Sequence, residues 1–321
     1  MPMRKYVNVN KTFHNDGSVT YFFIDENGDS EMRIYNLFPG VKVIYNSVHT
    51  AYSSLGSLRK GNLIEIHHCR EGRIEKQNKD SFFYLMPGDL SLSISKRKAD
   101  NYYFPLNHYH GITISINTDI APKCFSCFLE DVDVNPLSVA QKLCGTDDCF
   151  IIRSKEYIEH IFSEIYDIPT DCKKGYLKIK VMELLLILNG INPQLNSLQN
   201  VTLSLTQAEL AKKVAFFLSR QTDKQITVSD LSKKFSVSQT HLQNAFKGVY
   251  GVPVCSYMRI LKMQSAALKL IGTDLSILEI ANEYGYDNAS KFSSSFRNIM
   301  GELPTEYRKA HSHIKNTSKR I

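Results

Sequence analysis

The stretch SILEIANEYGYDNASKFSSSFR, residues 276–297, decides the fold of the C-terminal third of the chain. Ser276 precedes an apolar run of helical period, and Glu279 follows it by three residues, which is the capping-box pattern of a helix start. Gly285 predicts the end of this helix, because glycine tolerates the left-handed backbone of a tight turn. The stretch therefore opens with a short helix that stops at a glycine.

A second helix is predicted after the glycine, with Asp287 or Asn288 as its N-cap. The apolar positions at helical spacing form its core face: Phe292, Phe296 and Ile299. The polar positions are left facing outward: Ser290, Lys291, Ser293, Ser294 and Arg297. A bracing helix, a tight turn and a second helix with an exposed polar face are the outline of a helix-turn-helix.

The same outline occurs a second time earlier in the chain. Thr227 and Asp230 repeat the capping pattern, and the apolar positions of the two copies correspond at a spacing of 49 residues before the turn and 50 after it. A predicted helix about 19 residues long, stopped by Gly272, joins the copies. If this joining helix sets the distance between the copies, the second helix of one copy lies roughly one DNA turn, about 34 Å, from the second helix of the other. The two helices can then enter successive segments of the major groove.

Net charge separates this part of the chain from the rest. Residues 205–321 contain 17 Lys and Arg against 9 Asp and Glu, whereas residues 1–204 contain 22 against 23. The whole excess behind the formal charge of +7 therefore lies in the last third. This asymmetry indicates a nucleic-acid-facing part joined to a neutral part.

The N-terminal part is predicted to be rich in β-structure. Between residues 18 and 117, short segments of β-branched and aromatic residues are separated by turn signals. In DLSLSIS and GITISIN, apolar and polar residues alternate with period two, so that one face is buried. Short strands without intervening helices favour a small β-barrel or jelly roll. The expected fold class is α+β: an N-terminal β-barrel followed by helices, then an all-α C-terminal domain with two helix-turn-helix units joined by a linker helix.

From about residue 135 the hydrophobic period becomes helical. The segment GYLKIKVMELLLILNGI is apolar around more than half of its circumference, and one stripe runs along it: Val181, Leu184, Leu185 and Leu188. Such a helix needs a partner surface, either a copy of itself in a homodimer, which we expect, or the core of its own domain. The polar segment that follows predicts a linker at 191–204 between domains at 1–190 and 205–321.

Seven cysteines are an odd number, which fits a reducing compartment better than a disulfide framework. One interpretation makes Cys124, Cys127, Cys144 and Cys149 four zinc ligands, and the preferred one makes them small apolar residues packed beside phenylalanines. No stretch approaches the roughly 20 apolar residues of a membrane span, and the N-terminus lacks the apolar core of a signal peptide. We therefore expect a cytoplasmic protein with no membrane partner.

The last third of the chain carries a family resemblance. The residues from 226 to 309 strongly resemble the DNA-binding domain of AraC/XylS transcription regulators, and IANEYGYDNASKFSSSFRNIMGELPTEYR looks like the most specific signature of that family. The remainder resembles, less specifically, the cupin-like effector domain that many of these regulators carry at the N-terminus. The resemblance implies an effector-responsive, DNA-binding regulator that is not an enzyme.

The resemblance also implies base-facing positions on both recognition helices: Thr240, Gln243 and Asn244 on the first, and Ser290, Ser293 and Ser294 on the second. Lys247, Lys291 and Arg297 complete the predicted DNA-contacting set. Many members have Arg at the places of Asn244 and Ser294, so the commonest bidentate contact to guanine is missing here. Gln243 and Asn244 can pair with adenine edges, whereas the serine-lined second helix is expected mostly to hold phosphate. The alternative for that helix is a packing role with a solvated serine face.

Three histidines alternate in phase with the apolar residues of the predicted strands. His68 lies on one strand, and His108 and His110 lie on another. If these strands close a barrel, all three point inside, and we assign them as ligand-binding residues. The alternatives are structural histidines and a metal site, because His-x-His resembles a cupin metal motif. That motif also expects a glutamate a few residues on, and HYHGITISIN has none.

The leading hypothesis is a regulator that binds double-stranded DNA and responds to an unidentified small-molecule effector, with RNA polymerase as a further candidate partner. No cofactor and no metal is assigned. The alternative is a cupin-type metal enzyme with an attached basic helical module. The missing glutamate and the lack of any Ser/His/Asp, P-loop or Rossmann pattern argue against that alternative.

Overall fold

The protein is described from a computed structural model. The structure describes residues 8–25, 28–53, 61–78, 81–95, 102–123, 134–145, 149–168, 173–196, 202–222 and 224–311. The chain divides into two compact units, Met1–Thr202 and Leu203–Ile321. The division falls inside the segment 191–204 that the sequence suggests as a linker, and each unit is described by itself.

An eight-stranded antiparallel sheet forms the frame of the N-terminal unit. Its strands are β1 (Asn8–Phe13), β2 (Val19–Asp25), β3 (Gly28–Phe38), β4 (Val41–His49), β6 (Leu63–Gly72), β9 (Leu90–Ser95), β11 (Tyr109–Asn117) and β12 (Cys149–Ile152). They lie in the order β1-β2-β3-β4-β11-β6-β9-β12. Two short pairs accompany the sheet: β5 (Tyr52–Ser53) with β10 (Tyr102–Tyr103), and β7 (Ile74–Asn78) with β8 (Ser81–Leu85). Because β11 lies between β4 and β6, residues far apart in sequence become cross-strand neighbours.

Helices cover one face of this sheet. They are α1 (Pro136–Cys144), α2 (Glu156–Tyr166) and α3 (Lys173–Gly190), followed by the single turn α4 (Pro193–Asn196). Ile66 of β6 and Ile114 of β11 are fully buried in one apolar cluster with Phe162 of α2 and Leu177 of α3. The period-two alternation of the strands therefore places their isoleucines against helices.

The opposite face of the sheet packs on the short strand pairs and is partly polar. Val48 of β4 shares a second apolar cluster with Phe83 and Phe104. Within the same face, Thr113 Oγ1 lies 3.0 Å from both Asn46 Nδ2 and His67 Nδ1. These polar groups are buried together, and their mutual hydrogen bonds offset the cost of removing them from water.

Helix α3 uses its apolar stripe inside its own unit. The stripe residues are each 1% exposed or less: Val181, Leu184, Leu185 and Leu188. All four belong to the cluster between the sheet and the helices. The alternative in which this stripe belongs to the core of the monomer is what the structure shows, so the stripe is not available to a second subunit.

The C-terminal unit is helical. After the two-residue β13 (Leu203–Ser204) it contains α5 (Leu205–Ser219), α6 (Val228–Phe235), α7 (Gln239–Tyr250), α8 (Val254–Gly272), α9 (Ile277–Glu283), α10 (Ala289–Met300) and α11 (Pro304–His311). The helix α8 that joins the two helix-turn-helix copies has 19 residues, as the sequence predicts. The predicted class, an α+β protein with a β-rich N-terminal domain and a helical C-terminal domain, is confirmed.

The local signals for helix starts are confirmed by the hydrogen bonds. Both predicted capping boxes are present, at Thr227 before α6 and at Ser276 before α9. Of the two candidate caps for α10, Asn288 is the one used, and its side chain accepts from the backbone N–H of Ser290. Gly285 has a φ of +81°, the left-handed conformation expected of the turn.

Two further expectations concern membranes and cysteines. Among the described residues, no helix is both long enough and apolar enough to cross a membrane. Cys124 and Cys127 of the zinc interpretation lie outside the described residues. Cys144 is buried in the cluster beneath α1, and Cys149 is half-buried.

Candidate nucleic-acid interface

The first helix-turn-helix consists of α6 and α7. Its turn passes through Ser236, which has a left-handed φ of +55°. Ser232 Oγ donates a hydrogen bond to the carbonyl oxygen of Val237 at 2.7 Å, which ties the end of α6 to the turn. Leu242 and Phe246 of α7 are fully buried. Burial of this face fixes the rotation of α7 and leaves the opposite face to solvent.

That opposite face of α7 carries the residues expected to contact DNA. Thr240, Asn244 and Lys247 are exposed, and Gln243 is half-buried beside them. Their spacing of three, four and seven residues from Thr240 places them in one stripe. The backbone N–H of Val254 donates to Gln243 Oε1 at 3.4 Å. The carbonyl of Gln243 is therefore turned toward the start of α8, and its NH2 group is the part left to contact a ligand.

The second helix-turn-helix consists of α9 and α10. Phe292 and Phe296 are fully buried and share a cluster with Ile280 of α9. The hydroxyl of Tyr286, in the turn, lies 3.0 Å from Ser295 Oγ on α10. Ser295 is thereby engaged within the unit and is not part of the outward face.

The outward face of α10 is lined by serines. Ser290, Lys291, Ser294 and Arg297 are exposed, and Ser293 is half-buried. The three serines and Arg297, together with neighbouring residues, border an open groove of about 570 Å³. A serine hydroxyl both donates and accepts but has no planar pair of groups, so it does not match a base edge in the bidentate way of Asn, Gln or Arg.

Helix α8 holds the two copies in one body. At about 1.5 Å per residue its 19 residues span about 28 Å. Met263, Ala266 and Leu270 of α8 pack in the same cluster as Phe292 and Phe296. Lys262 Nζ also donates to the carbonyl oxygen of Tyr284 at 3.0 Å, and Lys269 forms an ion pair with Glu283.

The three histidines assigned to ligand binding share one face of the sheet, and that face is the one covered by helices. His68 is only 2% exposed, and its ring stacks on Phe162 of α2 with centroids 3.9 Å apart and planes 5° apart. Burial lowers the pKa of His68 to about 4, although the half-exposed Glu159 carboxylate lies 3.7 Å from its Nε2. The neutral ring of His68 is therefore a packing group in this structure.

His108 immediately precedes β11, and His110 is the second residue of this strand. Their side chains are 41% and 34% exposed. His49 at the end of β4 joins them, with ring centroids 5.6 Å from His108 and 5.4 Å from His110. Glu71 Oε2 lies 3.3 Å from His108 Nε2 and 3.5 Å from a ring nitrogen of His110. Burial lowers the pKa of His110, and the neighbouring His108 lowers it further.

A cavity of about 280 Å³ opens beside His110 on the helix-covered face. Three cationic side chains line it, Arg33, Arg70 and Lys173, together with one carboxylate, that of Glu31. Burial lowers the pKa of Lys173, and the charge of Arg33 lowers it further. Like charges are thus held together around the cavity.

Asp16 offsets part of this positive charge. Its Oδ2 lies 2.8 Å from a guanidinium nitrogen of Arg33. Burial alone raises the pKa of Asp16, but hydrogen bonds from Ser18 and Tyr35 and the charge of Arg33 outweigh that effect and hold the pKa well below its usual range. Arg70 and Lys173 instead lie over aromatic rings, Arg70 over Tyr166 at 4.4 Å and Lys173 over a neighbouring tyrosine at 5.1 Å.

Sequence reasoning missed several residues of these two sites. His49, Glu71 and the cavity cations were not identified, because they are distributed over β3, β4, β6 and α3 and no single segment brings a whole site together. The parity of HYHGITISIN gave only His108 and His110. The available signal was the charge on strand residues beside buried positions, such as Arg33 in β3.

Comparison with known proteins matches the C-terminal unit. A family model described as a helix-turn-helix domain matches residues 231–310. The chain is similar to the Transposon Tn10 TetD protein of Escherichia coli, with 32% identity over 98 residues that cover 30% of this chain and 71% of TetD. It is also similar to the HTH-type transcriptional activator AarP of Providencia stuartii, with 24% identity over 102 residues, 32% of this chain and 76% of AarP.

Among solved structures, one similar chain is a transcriptional regulator of Chromobacterium violaceum described among AraC-type DNA-binding domain-containing proteins. The identity is 23%, the TM-score is 0.31, and the match covers 33% of this chain and 93% of that one. These matches each cover about a third of this chain. They leave the remaining two thirds to be interpreted from its own geometry.

Proposed function

Because the chain belongs to the AraC/XylS family of DNA-binding transcription regulators, we propose that α7 and α10 both contact one double-stranded site and that a small molecule held in the N-terminal unit controls this binding. The proposed DNA contacts are supported by one observation: a helix-turn-helix lies at each end of the 19-residue helix α8. Each unit presents a polar, solvent-exposed face on its second helix.

The two faces differ in what they offer to DNA. Asn244 is exposed on α7 and has a carboxamide that matches the donor and acceptor pair of an adenine edge in the major groove. The side-chain carbonyl of Gln243 accepts from the backbone at the start of α8 at 3.4 Å, so its NH2 group is the part turned toward DNA. The α10 face offers hydroxyls with Lys291 and Arg297 beside them, a set suited to phosphate oxygens. We therefore assign sequence reading mainly to α7 and backbone contact mainly to α10.

Selection of bound duplexes from a random-sequence library by the full-length chain tests this assignment. The expected result is a selected site in which one segment of the duplex is strongly specified and a second, about one helical turn away, is weakly specified. A single specified segment with no dependence on the DNA one turn away would contradict the use of both units. Recovery of no preferred sequence would contradict base reading altogether.

The cavity beside His110 is the site that we assign to the effector. Its three cations outnumber its single carboxylate. Burial lowers the pKa of Lys173 and the charge of Arg33 lowers it further, and a bound anion would favour the charged form of Lys173. Aromatic rings of Tyr45 and Tyr166 form part of its wall. A volume of about 280 Å³ suits a small organic anion with an apolar or planar body.

Thermal unfolding of the full-length chain in the presence of small carboxylates and phosphate esters tests the effector site. A binding anion should raise the unfolding midpoint with its concentration, because it binds the folded state alone. Lys173→Met should abolish that shift, whereas the matched control Lys174→Met, an exposed neighbour outside the cavity lining, should retain it. A shift that survives Lys173→Met would place the ligand elsewhere.

A homodimer remains part of the proposal, through a different face of α3. Ile179 and Leu186 are 64% and 42% exposed, and the half-buried Met182 lies between them. Their spacing of three and seven residues forms one apolar stripe on the solvent side of the helix. A second copy of the same stripe is the self-complementary partner that a two-fold dimer requires.

Sedimentation at micromolar concentration tests the dimer. We expect a wild-type dimer that Ile179→Lys and Leu186→Lys convert to folded monomers. Ser163→Lys, at an exposed position of α2 outside this stripe, is the charge-matched control and should remain dimeric. A wild-type monomer at this concentration would overturn the proposed interface.

A further inference from the structure

The three histidines at one end of the sheet form a cluster with a carboxylate. His49 ends β4, His108 immediately precedes β11, His110 is its second residue, and Glu71 lies near the end of β6. The register makes Glu71 the direct cross-strand partner of His110, on the side opposite β4. Sheet topology therefore brings together four groups that the sequence spreads over more than 60 residues.

The spacing of the ligand atoms suits one cation. One ligand atom from each of the three histidines lies within 4.8 Å of the others. His49 Nε2 lies 3.3 Å from His110 Nε2, and Glu71 Oε2 lies 3.3 Å from His108 Nε2. Metal–nitrogen bonds of about 2.0–2.1 Å in a tetrahedral arrangement place neighbouring ligand atoms about 3.3 Å apart. The three histidines thus approach the spacing of a coordination sphere without any rearrangement of the strands. Glu71 lies beside this sphere, because its Oε2 faces Nδ1 of His110, at 3.5 Å, whereas His49 faces Nε2 of the same ring.

A further carboxylate, that of Asp29, contacts His49 on the ring nitrogen that faces away from the cluster. Asp29 Oδ2, on β3, lies 3.1 Å from His49 Nδ1. A hydrogen bond at Nδ1 fixes the proton there and leaves Nε2 as the lone-pair nitrogen facing His110. Ligating histidines commonly have such a carboxylate on their other ring nitrogen, where it orients the ring. Arg70 Nε lies 3.9 Å from the other oxygen of Glu71, which leaves Oε2 toward the histidines.

We propose that His49, His108 and His110 bind a divalent transition-metal cation of the zinc class, with the Glu71 carboxylate orienting His108 and His110 and offsetting the charge of the ion. Three imidazoles suit zinc, cobalt and nickel, whereas magnesium and calcium prefer oxygen ligands. The side chains of these four residues are between 34% and 51% exposed. The cation therefore enters directly from solvent and exchanges with it, as a sensed or regulatory ion does.

This site is distinct from the proposed effector cavity. His110 contacts both, but His49, His108, Glu71 and Asp29 do not line the cavity. Bound metal ties together β4, β6 and β11, the central strands of the sheet. The inference needs neither DNA binding nor an organic effector to be correct, so failure of one leaves the other standing.

Cobalt titration of the untagged, chelator-treated full-length chain tests the site. We expect visible absorption bands of four- or five-coordinate cobalt to saturate at one ion per chain and to be displaced by zinc. His49→Ala and Glu71→Gln should weaken cobalt binding by at least tenfold, and Asp29→Asn by about 10- to 100-fold. The matched control His160→Ala, an exposed histidine on α2 beside Glu164, should bind as the wild type does.

A second measurement on the wild-type chain removes any dependence on the folding of the variants. Zinc should protect the rings of His49, His108 and His110 from diethyl pyrocarbonate, as read by peptide mass spectrometry, while His160 stays reactive. Absence of stoichiometric binding, or equal modification with and without zinc, would overturn the assignment. A cobalt–thiolate charge-transfer band would overturn it as well, because it would place the ion on cysteines.

Discussion

Replacement of Asn244 with alanine separates base reading from general attraction to DNA. Asn244 is exposed on α7, so its truncation should change the free energy of unfolding by no more than about 0.5 kcal/mol. A bidentate contact between a carboxamide and an adenine edge contributes about 1–3 kcal/mol of discrimination. We therefore expect the Kd for the selected duplex to rise about 5- to 150-fold, while the Kd for a scrambled duplex stays the same.

Fluorescence anisotropy with both duplexes at several fixed salt concentrations measures this difference, because affinity for DNA depends steeply on salt. Lys247→Ala is the matched control, since Lys247 is exposed in the same stripe of α7. It should weaken both duplexes about equally and lower the log–log salt slope by about 1. Gln243→Ala differs from both, because it also leaves the backbone N–H of Val254 without its acceptor and should lower the unfolding midpoint.

Two outcomes would refute the reasoning. Equal weakening of both duplexes by Asn244→Ala would show that Asn244 contacts the backbone and reads no base. A loss of discrimination from Ser293→Ala or Ser294→Ala as large as that from Asn244→Ala would show that α10 reads bases directly.

Further predictions concern the stability of the protein and DNA binding by the C-terminal unit alone. Ser276→Ala should cost about 0.5–2 kcal/mol in urea unfolding, because its hydroxyl accepts from the backbone at 3.2 Å in the capping box, and an unchanged midpoint would contradict this. Leu185→Lys should unfold the N-terminal unit rather than dissociate a dimer, since Leu185 is 0% exposed, and a folded monomer by circular dichroism and sedimentation would refute this. As pH falls from about 6.5 to about 4, the unfolded chain takes up a proton that the folded His68 does not, so stability should fall by up to about 1.4 kcal/mol per pH unit there. His68→Phe should flatten that part of the profile in urea titrations, and an unchanged slope would assign it to other groups. A fragment of residues 203–321 should bind DNA alone with a steep salt dependence, and a folded fragment without affinity at low salt would be the contrary result.

The C-terminal unit was predictable in detail because its determinants are local. Each capping box needs two residues three positions apart, and the pairs at Thr227 and Ser276 form the hydrogen bonds that the pattern indicates. Gly285, in the turn between α9 and α10, adopts the left-handed backbone conformation that its place between the two predicted helices indicates. The one feature missed on this surface is the engagement of Gln243 by Val254, which depends on how α8 leaves the first unit.

In the N-terminal unit the sequence predicted correctly which residues share a face of the sheet. It did not predict which face the helices cover. Period two placed His68 in phase with the isoleucines of β6, and both lie on one face of the sheet. That face packs on α2 and α3, whereas the partly polar face on the other side contains His67. The alternation of a strand specifies two sides, and only the tertiary arrangement of the helices decides which side becomes a core and which a pocket.

The binding sites proposed in the N-terminal unit could not be predicted from single segments for the same physical reason. A strand contributes one or two side chains to any point on a sheet, so a site there must be assembled from several strands. His110 meets His49 across 61 residues of sequence and Glu71 across 39, because β11 lies between β4 and β6. Neither pairing leaves a trace in the period or composition of a single segment. A helix-turn-helix, by contrast, gathers its recognition stripe from one helix, where residues three, four and seven apart are neighbours by construction. The surface proposed to read DNA is therefore encoded within the 12 consecutive residues of α7, whereas the surfaces proposed to bind an anion and a cation depend on the order of the strands in the sheet.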